Sequence, residues 1–225
     1  MLIPSIDLLG GRIVQLVQGE KLRLAFDDFE YWIEKFSKYP LVQLIDLDAA
    51  MRQGSNAKLV AQIAHRLPCQ VGGGIHSIER AEQALAAGAK RVIVGSALFS
   101  DQGLVQTEFA ASLASSLDAD RLVAGIDTKN GRIAVKGWKA EVALTPDNAI
   151  PQLEPFVHSF LYTHVDGEGL MGGFPLSVAQ RLRNITSRQL IVAGGIRTQQ
   201  EIDALDDLHV DAVVGMAVYT ESLRV

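Results

Sequence analysis

The sequence has few of the features that mark secreted, metal-binding or membrane proteins. Its 225 residues include one cysteine, Cys69, so no disulfide can form within the chain, and its apolar setting predicts a small core residue. Cysteine and histidine residues do not cluster with the spacing of a zinc site. The sequence has no apolar run of about 18 residues, as a membrane-spanning helix needs, and it does not begin with the basic region of a signal peptide. We therefore expect a cytoplasmic protein that binds no metal and no membrane.

The chain is also poor in aromatic residues and in basic charge. Aromatic side chains make up 6% of the sequence, and 21 basic residues stand against 26 acidic ones. A net charge of −5 argues against non-specific binding to nucleic acid, but backbone dipoles can still hold a small anionic substrate. The hydrophobic fraction of 48% is ordinary for a globular protein, and the length suffices for one large α/β domain.

Short apolar runs alternate with longer helical patterns along the whole chain. Most of these runs are apolar at nearly every position, which is typical of parallel strands covered on both faces. The predicted strands are Leu2–Ile6, Leu41–Ile45, Cys69–Val71, Arg91–Val94, Leu122–Ile126, Phe160–Thr163, Leu190–Val192 and Ala212–Val214. The predicted helices are Phe29–Lys38, Lys58–Arg66, Ile78–Ala87, Leu104–Leu117, Asp147–Leu153, Pro175–Arg183 and Thr198–Leu205. Eight strand–helix units predict an α/β fold of the (β/α)8 TIM-barrel type, with a doubly wound open sheet as the alternative.

An internal repeat divides the chain into two similar halves. Ile6-Asp7 recurs as Ile126-Asp127, and Val94-Gly95 recurs as Val214-Gly215, both at a shift of 120 residues. Gly73-Gly74-Ile75 recurs at a shift of 121 residues as Gly194-Gly195-Ile196. Neither half ends in a linker, so we expect one domain over residues 1–225, built from half-barrels of about 1–120 and 121–225.

Two aspartates occupy matched places in this repeat. Asp7 and Asp127 each end an apolar strand, and strand ends of a barrel line the catalytic mouth. Strands one and five lie opposite each other, so the two carboxylates are expected to face across the opening as an acid–base pair. The alternative is that each aspartate only caps the turn that follows its strand.

Glycines follow four strands in the same repeat pattern, as adjacent glycines after two strands and as a single glycine after the other two. Glycine lets the backbone approach an oxyanion closely, and the backbone N–H groups then bind it. Sites on opposite rims predict a substrate with a phosphate at each end, and the alternative is that these glycines only form tight turns. The expected phosphate-binding residues are Gly73, Gly74, Gly95, Ser96, Gly194, Gly195 and Gly215.

Four further residues are candidates for the same mouth. Asp46 ends the second strand, and Thr163 ends the sixth, where its hydroxyl would either bond Asp127 or be satisfied locally. Trp138 would stack on a flat heterocycle or anchor its own loop. Gly19 lies in a loop after strand one that would act as a lid.

These motifs occur in the order found in one known family. The quoted segments are Ile3-Pro4-Ser5-Ile6-Asp7, Val17-Gln18-Gly19, Ile45-Asp46-Leu47-Asp48-Ala49, Gln70-Val71-Gly72-Gly73-Gly74-Ile75, Arg91-Val92-Ile93-Val94-Gly95-Ser96, Ile126-Asp127, Val135-Lys136-Gly137-Trp138, Gly194-Gly195-Ile196 and Val214-Gly215-Met216-Ala217. Over nearly its whole length, the chain resembles the phosphoribosylformimino-5-aminoimidazole carboxamide ribotide isomerases of histidine biosynthesis. The cyclase of the next pathway step shares the half-barrel pattern, but the Val-Gln-Gly loop and Gly137-Trp138 are more similar to the isomerases.

The resemblance implies an Amadori rearrangement, from an aminoaldose to an aminoketose, without a cofactor. It implies Asp127 as the general acid, supported by Thr163, and Asp7 as the base. It also implies that Trp138 stacks on the carboxamide heterocycle and that Gly173 joins the second phosphate site. We expect a monomer whose one partner is a small bisphosphorylated substrate.

The chain departs from the family pattern at several places in these loops. His76 stands where arginine is usual, Glu168 and Leu170 replace the first and last residues of an Asp-Gly-Thr motif, and His164 stands at a usually acidic position. The last helix must also be short, because ten residues follow Gly215. These departures leave open a related enzyme acting on another phosphorylated sugar or amine. A phosphometabolite-binding protein without catalysis is a third possibility.

Overall fold

Eight parallel strands close into a barrel in the computed structural model, which describes residues 1–223. They are β1 (Leu2–Leu9), β4 (Val42–Asp46), β5 (Cys69–Gly72), β6 (Arg91–Val94), β7 (Leu122–Lys129), β10 (Ser159–His164), β11 (Gln189–Ala193) and β12 (Val210–Val214). β12 pairs with β1 and β7 pairs with β10, so this sheet has no free edge. The TIM barrel is confirmed, and the open-sheet alternative is wrong.

Helices follow the strands and cover the outside of the barrel. They are α1 (Phe29–Phe36), α2 (Leu47–Ala50), α3 (Ala57–Ala64), α4 (Ile78–Ala86), α5 (Thr107–Leu117), α6 (Pro146–Leu153), α7 (Leu176–Arg183), α8 (Gln199–Asp207) and α9 (Met216–Tyr219). All seven predicted helices are present, and the largest shift is in α5, which begins at Thr107 rather than Leu104. The short helix predicted after Gly215 is α9, which has four residues.

Two hydrophobic layers hold the barrel together. The larger packs the outer faces of the strands against the helices and includes Phe36 and Phe160, both fully buried. The smaller fills the barrel interior with aliphatic side chains such as Ile3, Val123 and Ile191. Each strand therefore buries both faces, which explains its nearly continuous apolar sequence.

Two hairpins that the sequence did not predict extend β1 and β7. β2 (Arg12–Val17) and β3 (Lys21–Phe26) follow β1, while β8 (Arg132–Val135) and β9 (Ala140–Glu141) follow β7. The strands therefore continue beyond Asp7 and Asp127, so the prediction that these residues end their strands is wrong. The reason is that β1 pairs antiparallel with β2, and β7 with β8, past the barrel mouth.

Tertiary contacts recur at equivalent places in the two halves. The Gly10 backbone N–H donates to Asp48 at 2.7 Å, and the Asn130 backbone N–H donates to Asp166 at 3.0 Å. These bonds tie the hairpin turn to the loop after the next barrel strand in each half. The division into two half-barrels stays a prediction that this recurrence supports.

Residues 1–223 contain no candidate membrane-spanning helix and no candidate metal-binding cluster. None of the helices there combines the length and apolarity needed to cross a bilayer. The same residues contain no group of three or more histidine, cysteine, aspartate or glutamate side chains placed to hold a metal ion.

Candidate active site

A cavity of about 850 Å³ opens at the carboxyl ends of the barrel strands. Its lining combines residues from the strand ends with residues from the loops that follow them. Most of the predicted site residues are brought together here: Asp7, Gly19, Gly73, Gly74, Gly95, Ser96, Asp127, Trp138, Thr163, Gly194, Gly195 and Gly215. Sequence positions more than 200 residues apart therefore meet in one site.

Asp7 lies on β1, and its side chain lines the cavity. Ser5, two residues earlier on the same strand, donates its hydroxyl hydrogen bond to Asp7 Oδ1 at 3.0 Å. Burial raises the pKa of Asp7 to about 6, and the Ser5 hydrogen bond opposes this rise. Asp7 is therefore mostly ionised at pH 7 and remains basic enough to accept a proton.

Asp127 occupies the matching place on β7 but has different partners. The indole Nε1–H of Trp138 donates to Asp127 Oδ2 at 2.8 Å. Thr163 is the register partner of Asp127 on β10, and its side chain also hydrogen-bonds the carboxylate. Burial raises the pKa of Asp127, and these two donors oppose the rise.

Glu168 adds a third carboxyl group that sequence reasoning did not assign to the site. It lies in the loop after β10 and lines the cavity. Burial, and then the negative charges of Asp7 and Asp127, raise its pKa to about 8, so it is mostly protonated at pH 7. The signal in the sequence was the departure from the family motif at this position, but only the fold brings Glu168 close to both aspartates.

The loops of the two hairpins meet over the cavity through Trp138 and Gly19. A Cβ atom added to Gly19 would lie 2.6 Å from Cε3 of the Trp138 ring, so glycine is required where the indole packs. The indole is held by this contact and by Asp127, which fits the expectation of a ring that anchors its loop. Stacking of Trp138 on a heterocycle stays a prediction and requires the ring to leave this position.

The first predicted phosphate site is lined by Gly74, Gly95 and Ser96. Gly74 has φ +69, and a Cβ there would lie 2.7 Å from Cβ of Ala49, so no other residue fits without movement. The Ser96 hydroxyl oxygen accepts a hydrogen bond from the Lys136 backbone N–H at 3.0 Å. The lining of the cavity as a whole also includes basic residues: Arg52, His76, Lys136 and Lys139.

The second predicted phosphate site is lined by Gly194, Gly195 and Gly215. Its neighbours along the chain are Ile196 and Met216, and no basic side chain of the described cavity lining follows these glycines. A Cβ on Gly215 would lie 2.5 Å from the Gln15 amide oxygen, which explains the glycine. Arg197 corresponds in the repeat to His76, but it is not among the described residues that line the cavity.

The structure places two predicted binding residues outside the cavity lining. Asp46 is buried and accepts hydrogen bonds from the Ala49 backbone N–H, at 3.1 Å, and from the Asn56 backbone N–H, at 2.7 Å. Its carboxylate caps α2, and its contact with a substrate stays a prediction. The Gly173 backbone N–H donates to the Gly195 carbonyl oxygen at 2.9 Å, so Gly173 is hydrogen-bonded to a residue of the second predicted phosphate site.

His164 likewise stays out of the cavity lining. Its ring lies 6.2 Å from the ring of Phe174, in an edge-to-face arrangement. Leu170 is 54% exposed. Of the departures from the family pattern, His76 and Glu168 are the ones that reach the cavity.

Comparison with known proteins matches the chain to a family described as "Histidine biosynthesis protein" over residues 1–224. Curated relatives include 1-(5-phosphoribosyl)-5-((5-phosphoribosylamino)methylideneamino) imidazole-4-carboxamide isomerase of Methanocaldococcus jannaschii, which is 32% identical over 97% of this chain and 93% of that protein. The protein of the same name from Thermus thermophilus is 34% identical, covering 99% of this chain and 96% of its own length. The one from Methanosarcina barkeri is 34% identical over 97% and 92%.

Proposed function

The chain belongs to the histidine biosynthesis protein family, and on that premise we propose that it is the isomerase that converts a bisphosphorylated aminoaldose to its aminoketose in this pathway. The substrate would be a ribosyl-aminoimidazole carboxamide carrying a phosphate at each end. The observation that supports the proposal is one cavity whose lining includes Asp7, Asp127 and the glycines of both predicted phosphate sites. The reaction is an aldose–ketose isomerisation, formally an intramolecular oxidoreduction.

The rearrangement needs one proton donor and one proton acceptor. A protonated carboxyl group gives its proton to the ring oxygen of the aminoaldose, the C1–O bond breaks, and a C1–N Schiff base forms. Asp7 then takes the proton from C2, which leaves a C1–C2 enolamine. Return of a proton to C1 and loss of the hydroxyl proton at C2 give the ketose, so the atoms balance without an external oxidant.

The resemblance assigns the proton donor to Asp127, but Glu168 is a second candidate. A donor must be protonated before it acts, and Glu168, with a pKa of about 8, meets this condition at pH 7. Asp127 uses Oδ2 to accept the Trp138 hydrogen bond, which favours its ionised form. In this version Asp127 would stabilise the positive Schiff base while Glu168 protonates the ring oxygen.

Single substitutions test the proposal directly. The purified protein should convert the bisphosphorylated aminoaldose without added metal, and Asp7→Asn should lower kcat by about 100-fold or more because the proton acceptor is lost. Asp127→Asn and Glu168→Gln, compared in the same assay, identify the donor as the variant with the larger loss in kcat. Asp120→Asn, at a carboxylate that is 93% exposed, is the matched control and should keep full activity.

A pH profile separates an enzyme from a binding protein. Two carboxyl groups acting as base and acid should give two ionisations in kcat/KM. Activity that survives both Asp7→Asn and Asp127→Asn would contradict the acid–base proposal.

A related enzyme acting on another phosphorylated sugar or amine is the second candidate function. The absence of a basic side chain after the glycines of the second phosphate site, among the described lining residues, favours it. Failure to restore growth of a histidine auxotroph, with phosphate binding intact, would support this candidate.

We also propose that the protein acts as a monomer in the cytoplasm, which light scattering and cell fractionation would test.

A further inference from the structure

The two matched aspartates differ most in what precedes them on their strands. Ser5 lies two residues before Asp7, and Gly125 lies two residues before Asp127. The two residues correspond in the repeat, which has a shift of 120 residues, and each pairs with the next barrel strand of its half, Ser5 with Gln43 of β4 and Gly125 with Leu161 of β10. Asp7 therefore has a hydroxyl on its own strand, whereas the hydroxyl beside Asp127 comes from Thr163 on the neighbouring strand β10.

The Ser5 hydroxyl is directed at Asp7 by the strand itself. Residues i and i+2 of a strand face the same side, and both Ser5 and Asp7 line the cavity. Ser5 is 4% exposed and donates to Asp7 Oδ1 at 3.0 Å. It is the one hydrogen-bond donor to the Asp7 side chain found among residues 1–223, which leaves Oδ2 for the substrate.

The backbone at Ser5 is fixed from the other side of the sheet. The Tyr219 hydroxyl donates to the Ser5 carbonyl oxygen at 2.9 Å. The Tyr219 ring is buried and packs at a centroid distance of 4.2 Å from the Trp32 ring. An aromatic cluster on the outside of the barrel therefore holds the strand position from which Ser5 reaches Asp7.

We propose that Ser5 is a positioning residue that holds the Asp7 carboxylate with one oxygen bonded and the other directed into the cavity for proton abstraction. This inference rests on the proposed function, since it takes Asp7 as the proton acceptor. It explains how two carboxylates at matched places perform different tasks. Asp7 has a donor built into its own strand, whereas Asp127 depends on Trp138 from a loop and on a neighbouring strand.

Other groups around Asp7 act on its charge and must be accounted for. Glu168, from the loop after β10, and Tyr219, from α9, both interact with the Asp7 charge, and Asp127 lines the same cavity. The basic side chains that line this cavity are Arg52, His76, Lys136 and Lys139. The test below changes none of them.

Ser5→Ala removes the hydroxyl while leaving the packing nearly unchanged. We expect the titration of the Asp7 side chain, followed by carbon-13 NMR in substrate-free protein, to shift upward by about one pH unit, because a hydrogen bond to the charged form is lost. The acidic limb of the kcat profile should move upward with it, and kcat should fall more than KM changes. Ser5→Thr, which keeps the hydroxyl in a strand, should restore both.

Ser159→Ala is the matched control. Ser159 is another fully buried serine, on the same face of β10 as Leu161 and Thr163, and its hydroxyl has no partner among the described residues. Its removal should leave the Asp7 titration in place. If Ser5→Ala does not fold, Ser5→Gly reproduces the residue found at Gly125 and gives the same readout.

The outcomes separate the inference from the proposed function. An Asp7 titration and acidic limb unmoved by Ser5→Ala would overturn the positioning role, even if Asp7→Asn abolishes activity. Full activity in Asp7→Asn would instead overturn the proposed function. A shift that Ser5→Thr does not restore would show that packing, and not the hydroxyl, acts on Asp7, and would also overturn the inference.

Discussion

At the scale of single residues, Trp138 links a loop at the cavity mouth to the proposed catalytic carboxylate of Asp127. Its Nε1–H donates to Asp127 Oδ2 at 2.8 Å, so the position of one loop side chain decides how that carboxylate is hydrogen-bonded. The predicted stacking of the indole on a substrate would remove this donor from Asp127. The donor lowers the pKa of Asp127, so its loss raises that pKa and favours the protonated form.

Trp138→Phe tests this link and also discriminates between the two proton donors. Phenylalanine keeps an aromatic ring against Gly19 but removes the N–H, so we expect the pKa of Asp127 to rise. If Asp127 is the donor, the alkaline limb of the kcat/KM profile should move upward by the same amount. If Glu168 is the donor, that limb should stay in place while kcat changes, and an unchanged Asp127 titration by NMR would contradict the link itself.

At the scale of elements, the loops of the two hairpins lie against each other at the mouth of the cavity. The loop between β2 and β3 carries Gly19, and the segment between β8 and β9 carries Trp138, so the hairpin of one half meets the hairpin of the other. Gln18 and Trp138 both have positive φ values, 51° and 66°. These tight bends direct the two loops toward each other across the mouth.

Gly19→Ala should separate the two loops. The new methyl group would lie 2.6 Å from Cε3 of Trp138, and the residue has φ +72, so the indole must move away. We expect a change in tryptophan fluorescence and a lower kcat, since the Trp138–Asp127 bond is broken. The matched control is Gly11→Ala, where φ is +77 and no atom lies within 4 Å. Equal effects from the two variants would mean that backbone strain, and not contact with Trp138, is the cause.

At the scale of the whole molecule, the carboxyl groups that share the cavity make the stability of the fold depend on pH. Asp7, Asp127 and Glu168 all have raised pKa values, with burial as the first cause in each case. A carboxyl group whose folded-state pKa is raised favours the folded state at low pH. This contribution to stability is lost as the pH rises through the pKa of the group in the folded protein, which for Glu168 is about 8.

Glu168→Gln should therefore stabilise the protein in alkaline solution. As pH rises from the ordinary glutamate pKa to about 8, the unfolded chain ionises more readily than the buried Glu168, which destabilises the folded parent protein. Glutamine does not ionise, so the variant should have a free energy of unfolding higher than the parent's by on the order of 2–4 kcal/mol at pH 9, with a small difference at pH 4. Urea denaturation at the two pH values measures it. Glu82→Gln, at an exposed glutamate, should change neither value, and a Glu168→Gln protein no more stable than the parent at pH 9 would contradict the burial of this charge.

Much of the fold could be read from the sequence because it depends on local pattern and on repetition. The apolar runs predicted all eight barrel strands, and the helical pattern predicted the helix that the structure shows as α8. The hairpins were missed, because the prediction ended β1 and β7 at Asp7 and Asp127. The order of the repeated motifs predicted the closed ring and led to the two aspartates.

The tertiary structure alone decided the chemical environment of each group. The sequence by itself determined the barrel, the cavity aspartates and most of the glycines that line their rims. It did not separate Asp46, whose carboxylate is used in capping α2, from residues on the cavity, and it did not show Trp138 bonded to Asp127. Glu168 was recognised only as a departure from a motif, because a pKa of about 8 arises from burial and from two distant charges. Such effects depend on distances between residues far apart in the chain, and those distances exist only after the barrel closes.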